Sequence, residues 1–356
     1  MEQAAEELKY FAPKSNILTF PAWDVQPYDR TSPQLHIQSK RIETLSKIKD
    51  TKQAVILTTV NAISTRISPN TPQKITLTCG EVIDREELIS NLVAHGYQRS
   101  DIVMEPGEFS VRGGLMDLYP STEEIPVRID FFDDEIDTIK TFDPTSQRTD
   151  KLLKKVIISP SSELTMDEDK ITNFRGKYRE LFPDGANDIL YTDISAGRTN
   201  TCQDHFLPLF FEQEMSSFFE ALPENTIFVC HDNIQTSISA RIENIEESYN
   251  SRLTLLKDIS DWQKDDIYRP IPADLLYLTK HEWKTARQNK QWIYLEPFED
   301  NKSINFPYSP IMAEGKSKLD SAIEKIKKSR ANGESIFISA LSPSSLAKIE
   351  NTLVDI

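Results

Sequence analysis

The most strongly patterned part of the chain runs from Glu105 to Thr149 and reads EPGEFSVRGGLMDLYPSTEEIPVRIDFFDDEIDTIKTFDPTSQRT. It contains three short apolar runs, which are marked by Val111, Leu115, Leu118, Val127, Ile129, Phe131, Ile136, Ile139 and Phe142. Turn residues interrupt these runs at Gly113-Gly114, Pro120-Ser121 and Asp133-Asp134. Short runs rich in β-branched and aromatic residues, separated by such turns, are typical of neighbouring antiparallel strands. The stretch therefore predicts an antiparallel meander.

Some residues of this stretch are unusual for a plain scaffold. Arg112 and Arg128 lie among strand residues, and Phe131-Phe132 places two aromatic side chains on opposite faces, so one of them points outward. An exposed aromatic residue flanked by arginines is the composition of a protein-binding hot spot. The alternative is a half-buried sheet whose arginines pair with its many acidic residues. The residues alone favour the half-buried sheet and leave the binding surface as the alternative.

Composition excludes several classes of function. The chain has 356 residues, enough for two to four domains, and a net charge of -15, which argues against broad electrostatic binding of nucleic acid or anionic membrane. No apolar run approaches the roughly 18 residues that span a bilayer, and the acidic N-terminus is unlike a signal peptide. The three cysteines and five histidines are scattered. This pattern indicates reduced thiols in a cytoplasmic protein and no metal site.

Outside the meander, helical and strand patterns alternate, which indicates an α/β layer. Helices are predicted at 2–10, 35–48, 61–67, 85–96, 167–181, 235–256 and 319–330, and strands at 17–20, 54–60, 75–80, 226–230 and 335–340. The strand at 54–60, AVILTTV, is apolar enough to be central in a parallel sheet. Lys40, Arg41 and Lys47 are expected on the outside of the helix at 35–48.

No stretch has the pattern of a catalytic centre. Gly315-Lys316-Ser317 resembles the end of a phosphate loop, but Pro310 stands where the pattern needs glycine and no strand leads into it. The acids of FFDDEID invite comparison with an ATPase acidic motif, but Asp130 interrupts the apolar run before them, which predicts a half-exposed strand with a hairpin turn and not a magnesium site. His231-Asp232 follows a strand and could place an acid at a sheet edge, although an ordinary strand end is the favoured interpretation.

Three motifs, in this order and spacing, carry a resemblance to a known family: FPAWDVQPYDRTSP at 20–33, GEFSVRGGLMDLYP at 107–120 and PVRIDFFDDEIDTIKTFDPTSQRT at 126–149. They resemble the bacterial transcription-repair coupling factors (Mfd), in the N-terminal module that is itself similar to the excision-repair helicase UvrB. The resemblance implies a degenerate helicase-like (RecA-like, UvrB-type) α/β domain, split by an inserted α+β domain with an antiparallel sheet and followed by part of a small α/β domain. The implied boundaries are 1–73 and 164–300 for the split domain, 74–163 for the inserted UvrA-binding domain, 301–316 for a linker and 317–356 for the start of the third domain. It also implies a module shortened at both ends.

The resemblance implies a recruitment function. In the family, the inserted domain brings UvrA to DNA lesions where RNA polymerase has stalled. An ATP-dependent motor that moves on double-stranded DNA and displaces the polymerase lies further along, as does the polymerase-binding domain. The expected partner of this chain is therefore UvrA, with no cofactor of its own, since ATP and magnesium act in the parent's motor. Because the family's C-terminal part masks the UvrA surface, this chain is expected to bind UvrA constitutively.

Site residues follow from the resemblance position by position. The family's UvrA contact corresponds to Arg112, Arg128 and Phe132, with Lys140 and Arg148 as the expected rim. Arginine supplies a rigid fork of donors for carboxylates or carbonyls, and the phenylalanine supplies apolar area that loses water on binding. No catalytic residue is implied.

The resemblance also explains the strand end at His231 and Asp232. These residues stand where UvrB has its magnesium-binding Asp and catalytic Glu, and imidazole is a poor magnesium ligand, so ATP hydrolysis is not expected. The main alternative is an active UvrB-like ATP-dependent DNA helicase. A third hypothesis is direct DNA binding by the split domain through Lys40, Arg41 and Lys47.

Overall fold

The structure is a computed structural model that describes residues 2–51, 53–69, 73–257, 268–295, 318–333, 336, 346–347 and 349–351. Its chain contacts divide it into two units, residues 1–295 and 296–356. The described helices are α1 Glu2–Phe11, α2 Leu35–Asp50, α3 Val60–Ile63, α4 Arg85–Ala94, α5 Glu168–Leu181, α6 Ile189–Ser195, α7 Phe218–Ala221, α8 Ile234–Lys257, α9 Ala273–Leu276, α10 Lys280–Asn289 and α11 Lys318–Ala331, with a 3-10 helix at Gln203–Leu209. The described strands are β1 Ile17–Phe20, β2 Val55–Thr58, β3 Ile75–Thr78, β4 Gln98–Arg99, β5 Glu108–Arg112, β6 Leu115–Leu118, β7 Val127–Phe132, β8 Glu135–Phe142, β9 Thr149–Leu153, β10 Lys155–Ile158, β11 Ile227–His231 and β12 Gln291–Leu295. This mixture of helices and several sheets confirms the α/β class.

The predicted meander is confirmed as the main part of a six-stranded sheet, ordered β4-β5-β6-β7-β8-β9. The strands from β5 to β9 pair antiparallel, and β4 pairs parallel with β5. Gly113 adopts a φ of +60° in the β5–β6 turn, a conformation that costs glycine little. A side chain at Gly114 would lie 3.0 Å from the carbonyl oxygen of Phe131, so this turn needs both glycines.

One face of this sheet packs on α4 and on the antiparallel pair β3–β10. The shared core is made only of residues from this part of the chain: Leu77, Leu88, Leu92, Tyr97, Phe109, Met116, Leu118, Val127, Ile129, Ile136, Ile139, Val156 and Ile158. Asp84 begins α4 by accepting hydrogen bonds from the amides of Glu86 and Glu87, and Gly96, with a φ of +84°, follows its end. The segment therefore has a self-contained hydrophobic core.

The remainder of the first unit holds two parallel strand pairs, β1–β2 and β11–β12. Both pairs contribute to one hydrophobic cluster that combines residues 18–67 with residues 218–286. A second cluster joins Tyr28 to residues between Leu164 and Tyr277. The two ends of this unit therefore fold together around shared cores.

Two predicted elements of this region are wrong in detail. Within the described residues β2 pairs only with β1, and Val55 is exposed, so the central position predicted for the strand at 54–60 is not observed. The helix predicted at 61–67 ends at Ile63, because Thr65 and Ile67 form bridges with Tyr277 and Ser216. Long-range backbone pairing replaces the local helical preference here.

The expected outward position of Arg41 is also wrong. Its side chain is fully buried, forms an ion pair with Glu163, donates from Nη1 to the carbonyl of Pro21 at 3.0 Å and lies 4.3 Å above the Phe20 ring. Its counter-charge comes from a residue 122 positions away, which no local pattern reveals. The proposed basic patch for DNA thereby loses its central arginine.

Several predictions fall outside the described residues. They are the linker at 301–316, the phosphate-loop-like Gly315-Lys316-Ser317 and, apart from residue 336, the strand at 335–340. The predicted helix at 319–330 is present as α11. Among the helices that the structure describes, none combines the length and apolar character needed to cross a bilayer.

Candidate protein-interaction surface

The six-stranded sheet has a second face, opposite the core, which we call the outer face. Strand alternation and register place on it Arg112, Leu115, Asp117, Arg128, Asp130, Phe132, Thr138, Lys140 and Leu152. One row of directly paired residues runs Asp117–Arg128–Lys140–Leu152, and the next runs Arg112–Leu115–Asp130–Thr138. The three predicted contact residues therefore share one face, although the sequence spreads them over 20 positions and two strands.

Arg112, Asp117 and Arg128 form what we call the arginine–aspartate cluster. Arg128 binds both carboxylate oxygens of Asp117, with Nε 2.6 Å from Oδ1 and Nη2 2.9 Å from Oδ2. Arg112 donates to Oδ2 from its Nη2 at 2.7 Å. Only 2% of the Asp117 side chain is exposed. A buried carboxylate needs such counter-charges, so Asp117 holds both arginines in defined positions.

Arg128 is held from two further directions. It donates from Nη1 to the carbonyl of Gln147 at 3.2 Å and from Nη2 to the side-chain oxygen of Gln147 at 3.3 Å. Its guanidinium also lies 4.9 Å from the centre of the Phe142 ring. The hydrogen bond to Asp117 is the main cause that raises the pKa of Arg128. The Arg128 side chain is 18% exposed, so part of its ordered guanidinium reaches the surface. The Arg112 side chain is 53% exposed.

Phe131 and Phe132 point to opposite faces, as expected. Phe131 packs against the core cluster, with the guanidinium of Arg85 5.8 Å from its ring centre. Phe132 is 79% exposed, the largest value among the large apolar residues described. It directly precedes the β7–β8 turn, in which Asp133 has a φ of +59°. Asp133 and Asp134 of FFDDEID therefore form the predicted hairpin turn, and Glu135 and Asp137 belong to β8.

The two predicted rim residues occupy different surroundings. Lys140 lies on the outer face beside Arg128, and its Nζ is 3.6 Å from Oδ2 of Asp130. Arg148 lies in the loop between β8 and β9, where its carbonyl accepts a hydrogen bond from the amide of Asp143 at 2.9 Å. The structure thus brings Lys140 next to the arginine–aspartate cluster and leaves Arg148 on an exposed loop.

One end of the outer face is covered. Val103, Tyr119 and Phe142 form a small buried cluster there. Ser110 donates to the carbonyl of Asp101 at 3.1 Å, and Gln147 donates to that of Val103 at 3.3 Å. The loop around Val103 therefore lies over this end, and the part near Phe132 stays open.

The predicted degenerate acidic motif lies far from this sheet in the chain. His231 is the last residue of β11, opposite Leu295 of β12, and Asp232 follows in a turn; both are exposed. Within the described part of the chain, no group of three or more His, Cys, Asp and Glu side chains could hold a metal ion. The assignment of these two residues stays a prediction.

Sequence reasoning missed Asp117. A usable signal was present, because the two-residue turn at Gly113-Gly114 fixes the pairing of β5 with β6 and places Asp117 on the face of Arg112. The pairing of Asp117 with Arg128 depends on the longer β6–β7 connection, whose length does not fix the register of the two strands. The alternative interpretation, in which the arginines of the sheet pair with acidic residues, is therefore correct for Asp117. Such pairing is compatible with a binding surface.

Comparison with known proteins agrees with the resemblance. Residues 75–164 match the family described as UvrB interaction domain. The transcription-repair-coupling factor of Haemophilus influenzae is 34% identical over 244 residues, which are 67% of this chain and 21% of that protein. Those of Escherichia coli and Rickettsia bellii are 32% and 29% identical over 64% and 91% of this chain, and the chain spans 21% and 29% of their lengths. The chain is therefore related to the transcription-repair-coupling factors over most of its length, and its residues 75–164 belong to the UvrB interaction domain family.

Proposed function

We propose that this chain is the N-terminal module of a transcription-repair coupling factor and that its domain at 74–163 binds UvrA. One observation carries the proposal: the arginine–aspartate cluster and the exposed Phe132 share the outer face of the six-stranded sheet. This surface belongs to the segment that matches the UvrB interaction domain. Through UvrA, the chain recruits the excision-repair machinery to lesions where RNA polymerase has stalled.

The chemistry of the surface suits a partner with carboxylates or carbonyls around an apolar pocket. Two arginines and one aspartate give the cluster a formal charge of +2 - 1 = +1 in a chain whose net charge is -15. The donors are already oriented by Asp117, so less conformational entropy is lost when they bind. Phe132 then supplies the apolar area, and loss of one such contact typically costs about 2 kcal/mol or more.

The proposal extends to the domain arrangement. Residues 1–73 and 164–300 form one UvrB-like α/β domain, into which the domain at 74–163 is inserted. In support, two hydrophobic clusters each combine residues from both segments, whereas the cluster under the six-stranded sheet does not. Residues 301–316 and 317–356 are the proposed linker and the start of a third domain.

ATP hydrolysis, DNA translocation and polymerase displacement are assigned to other parts of the parent protein, which acts in the cytoplasm. His231 and Asp232 replace the magnesium-binding and catalytic acids. The UvrB-like helicase alternative predicts ATP turnover with DNA present. We expect turnover no higher than in a blank without protein.

The test of UvrA binding is titration calorimetry with the 356-residue chain and two variants, Arg112→Ala and Arg128→Ala. Each variant is expected to weaken binding by about 30-fold, which corresponds to about 2 kcal/mol. Arg198→Ala is the matched control, because Arg198 also binds an aspartate, Asp193, but lies outside the proposed domain. Absence of binding by the wild type contradicts the function, and wild-type affinity of Arg128→Ala contradicts the site.

A further inference from the structure

The outer face carries two further exposed apolar residues. Four large apolar side chains in the described residues are more than 70% exposed, and three of them are Phe132, Val82 at 73% and Leu152 at 71%. All three belong to the segment with the six-stranded sheet. Such residues scattered singly need no explanation, but their concentration on one face points to an interaction surface.

Val82 joins this face through an extension of the sheet. The amide of Gly80 donates to the carbonyl of Ile136 at 2.7 Å, and the amide of Ile136 donates to the carbonyl of Glu81 at 2.9 Å. Val82 therefore pairs with Glu135, which pairs on its other side with Phe132. Directly paired residues project from the same side of a sheet, so Phe132, Glu135 and Val82 form one outward row.

Leu152 joins it through the opposite edge strand. It pairs with Lys140, which pairs with Arg128, so the row that contains Asp117 and Arg128 ends at Leu152. The next residue, Leu153, packs against the core cluster, and alternation therefore turns Leu152 outward. Val82 and Leu152 thus end two rows of the outer face, one that begins at Phe132 and one that contains Asp117 and Arg128, with the row of Arg112, Leu115, Asp130 and Thr138 between them.

A stable interface needs more area than the three predicted contact residues supply. A specific protein interface buries about 800 Å² on each partner and uses about 20 residues or more, far beyond Arg112, Arg128 and Phe132. The end of the outer face near Val103 is already covered by the chain's own loop. The open area includes Val82, which pairs with Glu135, and Leu152 on β9, and both side chains are exposed.

We propose that Val82 and Leu152 are apolar contact residues at two margins of the surface that binds UvrA. This inference rests on the proposed function and deepens it. The partner surface is acidic where it meets the arginine–aspartate cluster and Lys140, and apolar where it meets Phe132, Val82 and Leu152. Glu135, between Phe132 and Val82, meets a donor.

The test measures UvrA affinity of the 356-residue chain carrying Val82→Ala, Leu152→Ala or both substitutions. Each single substitution is expected to weaken binding by about fivefold, and the double variant more than either. Val93→Ala and Leu255→Ala are the matched controls: they remove the same groups from exposed positions on α4 and α8. Unchanged melting temperatures verify that all variants are folded.

The outcomes separate this inference from the proposed function. If the wild type binds UvrA, Arg128→Ala weakens binding, and Val82→Ala, Leu152→Ala and the double variant bind as the wild type, the proposed margins are wrong and the function stands. If the controls weaken binding as much as the outer-face variants, the margins are equally wrong. If the wild type does not bind UvrA, both proposals are wrong.

Discussion

At the scale of single residues, the outer face depends on Asp117. This carboxylate is too deeply buried to contact a partner, yet it binds both arginines that are proposed to do so. Its effect on binding is therefore indirect, through the position and order of Arg112 and Arg128. A residue of this kind links the stability of the fold to the affinity of the surface.

We predict that Asp117→Asn lowers the free energy of unfolding by about 1–3 kcal/mol, because an uncharged amide leaves the half-buried guanidinium of Arg128 without its counter-charge. UvrA affinity should fall with it. Urea unfolding and titration calorimetry measure the two effects. Asp130→Asn is the control: its exposed pair with Lys140 should contribute less than about 1 kcal/mol. Equal stabilities of the two variants would contradict the role of Asp117.

Asp204 and His205 form a second residue-scale feature, inside the first unit. Burial raises the pKa of the Asp204 carboxyl to about 7 and lowers the pKa of His205 to about 4. An aspartate whose pKa is raised on folding makes stability fall as pH rises from about 4 to about 7. A histidine whose pKa is lowered makes stability rise between about 4 and 6.5. The two effects oppose each other in the wild type.

We predict that Asp204→Asn separates these effects. The free energy of unfolding of the variant, minus that of the wild type, should increase between pH 5 and pH 7 by up to about 1.4 kcal/mol per pH unit. Urea unfolding across this range measures it. Asp193→Asn is the control, because a hydrogen bond from Arg198 lowers the pKa of Asp193 and its titration falls below this range. A flat difference for Asp204→Asn would contradict the prediction.

At the scale of elements, the two faces of β7 have different surroundings. Val127 and Ile129 face the core, and Arg128 and Phe132 face outward. The register of β7 with β8 shifts between Asp130 and Phe131, where Thr138 and Ile136 are the successive partners, so Asp137 is the extra residue and lies on β8. Alternation along β7 therefore continues unbroken to Phe132.

We predict opposite effects for the two neighbouring phenylalanines. Phe131→Ala should lower the free energy of unfolding by about 2–3 kcal/mol, because its ring packs on the core. Phe132→Ala should change it by less than about 0.5 kcal/mol and weaken UvrA binding by about 30-fold. Each variant serves as the control for the other. Substantial destabilisation by Phe132→Ala, with UvrA affinity retained, would contradict this division.

At the scale of the whole molecule, the first unit contains separate hydrophobic cores. The core under the six-stranded sheet uses only residues 77–158, and the small cluster of Val103, Tyr119 and Phe142 lies within the same segment. The other two large clusters each need residues from both sides of it. A surface for a partner can therefore belong to one segment, while the rest of the unit is stabilised independently.

We predict that residues 74–163 alone fold cooperatively and bind UvrA as tightly as the full chain, because their core is complete. Thermal unfolding followed by circular dichroism and UvrA titration measure this. The same piece with Ile129→Asp is the control and should not fold, since it buries a charge in that core. A gradual, non-cooperative melt of the unmodified piece would contradict the domain boundaries.

Much of the fold was predictable from local patterns. The strands of the meander, the ends of α4, α5 and α8 and the outward position of Phe132 follow from alternation, helical spacing and turn residues, which act over a few positions. The identity of the candidate site residues came from motifs and not from these patterns. Arginine, aspartate and phenylalanine also occur in scaffolds, so residue type alone does not identify a binding surface.

The order of residues in the chain was sufficient for the period and the turns of the sheet, because steric limits on the backbone and the choice of turn residues are local. Tertiary structure alone decided which charges from remote parts of the chain meet. Asp117 pairs with Arg128 although no turn rule fixes the pairing of β6 with β7. Arg41 is buried against Glu163, which is 122 residues away. Electrostatic pairing depends on distance in space, and residues that are remote in the chain come close only after it has folded.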